Sequence, residues 1–122
     1  MNTNYNVTSP NFGMALHMNE RRIARVLGGN AGYNARAARA ELEKLATDCD
    51  IFVYPVNEYI KWTNACRIEC AVADKAKNAF QAFFKPRTIL HTYVYGMRPG
   101  YSIKDELIKS VEAAKQYHFK NK

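Results

Sequence analysis

Apolar positions near the start of the chain follow first a period of two and then helical spacing. Over residues 12–18 apolar side chains alternate with small or polar ones, a pattern that predicts a short edge strand or a docking arm. Asn19 then precedes apolar residues spaced three and four apart, which end at Gly28-Gly29. This predicts a short helix with Asn19 as its N-cap. A longer amphipathic helix is predicted over residues 34–48.

The middle of the chain carries two strand patterns. Residues 51–56 form a continuous β-branched and aromatic run, which is typical of a strand buried on both faces. Pro55 within that run must lie near a sheet edge or a strand end. Residues 65–73 alternate and predict a half-buried strand. The alternation over residues 58–62 predicts a wide hairpin whose return limb includes that segment.

The last part of the chain alternates helix and strand again. Asp74 is placed to cap a third helix whose inward stripe includes Phe80, and Pro86 ends it because proline disfavours helix at the residue before it. Residues 88–95 predict another strand. Ser102 with a carboxylate three residues later predicts a capping-box-like start of a final helix.

This order of elements predicts an α+β fold in which about four helices pack on a three- or four-stranded sheet. At 122 residues and 48% apolar composition, the chain suits a single core. Residues 12–122 are predicted to form that domain, and the uncharged residues 1–11 a flexible tail. The predicted core residues are Leu42, Leu45, Ile51, Val53, Ile68, Val72, Phe80, Leu107 and Val111.

Compartment and membrane association are predicted from the first basic residue, the apolar runs and the cysteines. No Lys or Arg precedes Arg21, so no secretory signal is predicted. No apolar run approaches the roughly 20 residues that a membrane span requires. Cys49, Cys66 and Cys70 lie in apolar stretches, which suits buried thiols in a reducing compartment. We therefore expect a cytoplasmic protein that does not enter a membrane.

No local motif for catalysis or metal binding occurs in the sequence. His17, His91 and His118 are not in a recognisable motif with Ser, Cys or a carboxylate, and His118 is expected in the fraying last turn of the final helix. Cys66 and Cys70 share one face of their segment, but no second pair and no nearby His complete a zinc site. The sequence thus predicts a binding protein that is not an enzyme and uses no metal or cofactor.

Three glycines mark the joint between the first two predicted helices. The segment Gly29-Asn30-Ala31-Gly32 resembles the Gly-x-x-Gly loop of the KH family of single-strand binders, in which the backbone approaches phosphates closely. In this sequence the two central positions are not basic. A glycine-rich helix C-cap and turn explains the same residues and is the favoured interpretation.

A basic stretch with interspersed aromatic residues precedes the final helix. The net charge is +7, and five of the basic residues fall in residues 75–98 with no intervening acid. Cations for phosphates and rings for bases are what a single-stranded nucleic-acid surface requires. The candidate residues are Lys75, Lys77, Lys85, Arg87, Tyr93 and Tyr95, with His91 on the same strand face.

A second basic cluster lies on the first two predicted helices and consists of Arg21, Arg22, Arg25, Arg36 and Arg39. Arginine suits anionic partners, including an acidic protein surface. The sequence therefore predicts a small adaptor or inhibitor that acts on a protein partner, with single-stranded nucleic acid as the alternative target. A homo-oligomer stays open.

Residues 9–16, Ser-Pro-Asn-Phe-Gly-Met-Ala-Leu, resemble the start of uncharacterised short bacterial and phage proteins. That resemblance implies a bacterial or phage origin and carries no function.

Overall fold

The computed structural model describes residues 15–60, 63–77, 80, 85–94 and 100–120, without the side chains of residues 59, 60 and 63–65. The elements within that part are β1 (Leu16–Met18), α1 (Glu20–Leu27), α2 (Gly29–Leu45), β2 (Cys49–Ile60), β3 (Thr63–Asp74), β4 (Arg87–Tyr93) and α3 (Ile103–Lys120). The α+β class is confirmed.

Three helices lie wholly within the described residues, where about four were predicted for the whole chain. The helix predicted to begin after Asp74 is absent over residues 75–77, which are not helical, whereas Phe80 is helical. Residues 78, 79 and 81–84 of that prediction lie outside the described residues. The predicted tail, residues 1–11, also lies outside them.

The strands form one mixed four-stranded sheet in the order β1-β2-β3-β4. β1 pairs with β2 in parallel, whereas β3 is antiparallel to both β2 and β4. A parallel pair needs a long crossover connection, and α1 and α2 provide it. The β2–β3 pair is the predicted hairpin, but residues 58–60 belong to its first strand and not to its return limb as predicted, because β2 continues as far as Ile60.

One face of the β2–β3 hairpin faces the core. Ile51 pairs with Val72, and Val53 with Cys70, and all four are buried with side chains on that face. Phe52 and the other even-numbered residues up to position 56 point to the opposite face and are only half-buried. The prediction that residues 51–56 are buried on both faces is therefore wrong, because the helices of the described part all pack on one side.

The helices contribute their apolar stripes to the same core. Seven of the nine predicted core residues are buried. Leu45 is half-buried at the rim. Phe80 is 73% exposed, so its assignment to the core is wrong; helical spacing identified an apolar stripe, but the core face of the sheet is already covered by α1, α2 and α3. The buried helix residues are Ile23, Ala31, Ala35, Ala38, Leu42, Ile103, Leu107, Val111 and Ala114.

The joint between α1 and α2 is tighter than the sequence suggested. The Asn19 side chain accepts a hydrogen bond from the Arg22 amide, as expected of an N-cap, and Gly28 ends α1 with a φ of 104° that favours glycine. However, α2 begins at Gly29 instead of about residue 34. Gly32 therefore lies inside a helix, where its backbone packs against Ala24. The C-cap interpretation is therefore confirmed at Gly28, whereas Gly29–Gly32 form neither a phosphate-binding type of loop nor a turn, because they lie in α2.

Features that limit further strand pairing lie on β2 beyond the end of β1 and on β4. The Ile51 amide donates a hydrogen bond to the Ala15 carbonyl on the β1 side. The backbone nitrogen of Pro55, four residues later, points to the same side, beyond the end of β1. This explains how a proline fits within β2 and confirms its predicted edge position. At the other edge, Ser110 and Tyr101 donate hydrogen bonds to the carbonyls of His91 and Tyr93, respectively.

Replacing Leu42 by Ala should lower the free energy of unfolding by about 2 to 5 kcal/mol, because the side chain is fully buried and would leave a cavity. Leu45→Ala is the matched control and should cost clearly less, since Leu45 is half-buried at the core's rim. Urea denaturation of both variants measures the difference. Equal losses would contradict the assigned core.

Gly32→Ala should destabilise the protein by about 1 to 3 kcal/mol, because the new β-carbon would lie 2.5 Å from the β-carbon of Ala24. Adding Ala24→Gly should restore part of that loss. Gly29→Ala is the control: nothing lies within 4 Å of its added β-carbon, so helix propensity should leave stability unchanged or slightly raised. If thermal unfolding gives Gly29→Ala a lower melting temperature than Gly32→Ala, the close packing of Gly32 against Ala24 is refuted.

Candidate functional site

The sheet face opposite the three helices carries rings and cations, and we call it the aromatic face. β4 contributes every second residue to it, and among these Ile89 is 48% and Tyr93 44% exposed. The rings of His91 and Tyr93 meet edge to face at 4.7 Å, so these two residues share one face as predicted. The described aromatic face comprises His17, Phe52, Tyr54, Arg67, Glu69, Arg87, Ile89, His91 and Tyr93.

A stack of three side chains crosses this face. The imidazole of His17 lies parallel to the Phe52 ring at 4.6 Å, and the Arg87 guanidinium lies 3.9 Å from the centre of the same ring. The stack is possible because the β3 residue opposite Phe52 is the small, buried Ala71. Partial burial lowers the pKa of His17; Asp50 opposes this and Arg87 adds to it. The imidazole is therefore neutral at pH 7.

Acidic groups on the aromatic face are engaged within the protein. Glu69 forms an ion pair with Arg67 at 3.1 Å. Burial and the hydrogen bond to Glu69 raise the pKa of Tyr54 to about 12, so its phenol stays protonated and donates to the carboxylate. Asp50 accepts a hydrogen bond of 3.0 Å from the Ala76 amide. These contacts compensate negative charge that would otherwise repel an anionic ligand.

The basic residues predicted in residues 75–98 gather at one end of this face. The Lys85 ammonium donates to the Lys75 carbonyl at 3.4 Å, and Lys77 is exposed two residues further on. Arg87 pairs with Ala73 at the adjoining strand ends. Tyr93 lies at the far end of β4, six residues and roughly 20 Å from Arg87. Tyr95 and Arg98 lie outside the described residues.

Sequence reasoning missed several members of the aromatic face. Phe52 was assigned to a strand buried on both sides, and Ile89 occupies the same alternating positions as His91 without having been singled out. Phe52 and His17 come together only through the parallel pairing of β1 with β2. The alternation in β4 could have identified Ile89, whereas no local signal identifies the stack.

The arginines on α1 and α2 separate into three environments. Arg39 is a structural residue: it contacts Glu20 at 2.7 Å and donates to the Met18 carbonyl at 2.9 Å. Its assignment to an exposed binding cluster is thus corrected, because a partner nineteen residues away was not visible in the sequence. Arg22 lines a cleft of about 430 Å³ beside His17 and Phe52. The remaining three, Arg21, Arg25 and Arg36, are exposed.

His118 does not lie in a frayed turn. Its side chain is only 10% exposed and contacts Asp74 at 2.9 Å, and its other ring nitrogen lies 3.1 Å from the Thr88 hydroxyl. This Asp-His-Thr chain resembles a charge-relay arrangement in its connectivity. None of the three lines the 430 Å³ cleft. Their contacts join the end of α3 to the adjoining ends of β3 and β4.

The buried thiols are protected from ionisation. Burial raises the pKa of Cys49 to about 11 and that of Cys70 to about 12, so neither is a nucleophile near neutral pH. Cys66 is half-buried and lies 3.5 Å from the Asn57 side-chain oxygen. Within the described residues, no group of three or more His, Cys, Asp or Glu side chains is placed to hold a metal ion.

Comparison with protein-family models, with curated proteins and with solved structures found no match to this chain. In the part of the chain that the structure describes, no helix is both long enough and apolar enough to cross a membrane.

Replacing Arg39 by Gln should lower the free energy of unfolding by about 1 to 3 kcal/mol at neutral pH, because it removes charged hydrogen bonds to Glu20 and one to Met18. Arg39 lowers the pKa of Glu20, so the ionic part of this contribution is complete above the ordinary glutamate pKa. It is lost as the pH falls through the lowered value in the folded protein.

Urea denaturation from pH 7 down to about pH 3 should therefore show the difference between wild type and Arg39→Gln narrowing below about pH 5. The part of the stability difference that comes from the hydrogen bond between Arg39 and the Met18 carbonyl should remain at low pH. Arg25→Gln is the matched control and should change stability by less than about 0.5 kcal/mol, since Arg25 is exposed. A difference that stays constant across this range would show that the Glu20 contact contributes nothing.

Proposed function

We propose that the protein binds single-stranded nucleic acid on its aromatic face and catalyses no reaction on it. The observation that carries this proposal is the exposed row of Ile89, His91 and Tyr93 on β4, which runs from a basic end of the sheet. Soluble proteins seldom expose such a row without a ligand or partner for it. Unpaired bases provide planar faces that stack on such side chains.

Two physical contributions to nucleic-acid binding come from opposite ends of β4. Lys75, Lys77 and Lys85 at the basic end attract phosphates, and release of their counterions makes this contribution depend on salt. His91 and Tyr93 at the other end offer ring surface for stacking, which is nearly independent of salt. A flat sheet presents these rings to splayed bases, whereas bases paired inside a duplex do not expose their faces to it.

The central part of the face is engaged in contacts within the protein. Phe52 is already covered by His17 and Arg87, and Glu69 is held by Arg67 and Tyr54. Because these acids are internally compensated, the face does not repel an anionic strand strongly, and the net attraction comes from its basic end. A nucleic-acid strand that follows β4 therefore contacts Lys75 through the phosphates at one end and Tyr93 through the bases at the other.

Fluorescence anisotropy with a labelled oligothymidylate of about 12 nucleotides tests the proposal. Tyr93→Leu should weaken binding by about 1 to 3 kcal/mol with little change in the salt dependence. Each of Lys75→Ser and Lys77→Ser should instead reduce the logarithmic salt slope by about 0.7, since one fewer counterion is released.

Two exposed residues on the helical side provide matched controls. Tyr33→Leu removes an exposed tyrosine from α2, and Lys44→Ser removes an exposed cation near the end of that helix. Neither should alter oligonucleotide binding beyond the small effect of one distant charge. No binding at low salt, or equal losses in Tyr33→Leu and Tyr93→Leu, would refute the aromatic face as the binding site.

A further inference from the structure

A second surface lies on the opposite side of the molecule, over the seam between α1 and α2. The seam is closed by the contact between Gly32 and Ala24 and by the pairing of Arg39 with Glu20. These contacts bring the two helix backbones close together, so side chains on their outer flanks share one surface. That surface faces away from the sheet, because the buried stripes of both helices point toward the sheet.

Helical phase places three arginines and a tyrosine around this seam. Arg21 and Arg25 lie one turn apart on the flank of α1 next to Ala24. On α2, Arg36 follows Gly32 by one turn, close enough to Glu20 to lower the pKa of that carboxyl. Tyr33, the residue after Gly32, is 72% exposed. We call these four residues the seam patch.

Two of the three arginines in the seam patch have no ion-pair partner among the described residues. Neither Arg21 nor Arg25 forms an ion pair with any residue in the described part of the chain. Glu20, which lies at the seam, is bound by Arg39 in a two-pronged contact. Arginine and tyrosine are the residue types that most often dominate the energetics of protein interfaces.

We infer that the seam patch binds an acidic segment of a partner protein. Carboxylates match the planar, forked guanidinium groups, and Tyr33 supplies a rigid side chain for apolar contact. The inference stands on the α1–α2 seam alone and does not depend on nucleic-acid binding by the aromatic face. Since the two surfaces lie on opposite sides, both can be occupied at once, so the protein is able to connect an acidic protein to a nucleic acid.

The test uses the whole protein and a fluorescein-labelled peptide composed only of Asp, Glu, Gly and Ser. Anisotropy should show binding that weakens about tenfold or more in the double variant Arg21→Ser, Arg25→Ser. Tyr33→Leu should weaken binding severalfold while net charge is unchanged. The same peptide with Asn and Gln in place of its acids should not bind.

The double variant Lys75→Ser, Lys77→Ser removes the same charge from the other side of the molecule and is the matched control. It should bind the peptide within about twofold of wild type while losing affinity for oligothymidylate. Circular dichroism should show that both double variants are folded, because all four substituted cations are exposed.

No peptide binding at low salt would overturn the inference. Equal losses in the two double variants would also overturn it, because attraction would then follow net charge alone. If the Arg21 and Arg25 variant instead loses oligothymidylate binding and keeps the peptide, the seam patch serves nucleic acid rather than protein. Oligothymidylate that fails to bind while the seam variants lose the peptide would refute only the proposed function of the aromatic face.

Discussion

One-sided burial of the β2–β3 hairpin is the constraint on which the rest of the structure depends. Ile51, Val53, Ile68 and Val72 face the helices and are buried, and at about 1.5 to 3 kcal/mol for each fully buried aliphatic side chain they represent a large share of the driving force. A shift of register by one residue would exchange the two faces and expose this set. The positions of α1, α2 and α3 and the composition of the opposite face both follow from it.

Among the described residues, the opposite face is held together by polar and aromatic contacts. His17, Phe52 and Arg87 stack across three strands, and small residues such as Ala71 remain buried between the larger ones. Such a face keeps its shape without a dry core. It therefore leaves rings and cations at the surface of β4, where a flexible chain of nucleotides can reach them.

Local patterns were sufficient wherever the physical cause was local. The alternation from Cys66 to Val72, the Asn19 cap and the Ser102 hydroxyl that accepts from the Asp105 amide are all encoded within a few residues, and each was predicted. Gly32 was misinterpreted because a glycine that permits close helix packing and a glycine that ends a helix are indistinguishable in one sequence.

The remaining errors came from contacts between distant positions. Arg39 binds Glu20 across nineteen residues, and His118 binds Asp74 across 44; no local pattern encodes either. For the candidate site, His91 and Tyr93 were foreseen from strand alternation, whereas the contribution of His17 required knowledge that β1 and β2 pair in parallel.

The central claim is that the sheet face opposite α1, α2 and α3 is a binding surface, and mapping of backbone amide shifts by NMR during titration with oligothymidylate tests it most directly. The account predicts that the amides that shift lie in residues 87–93 and in residues 75–77, with α1 and α2 unchanged. Shifts concentrated on α1 and α2, or no shifts at low salt, would contradict it.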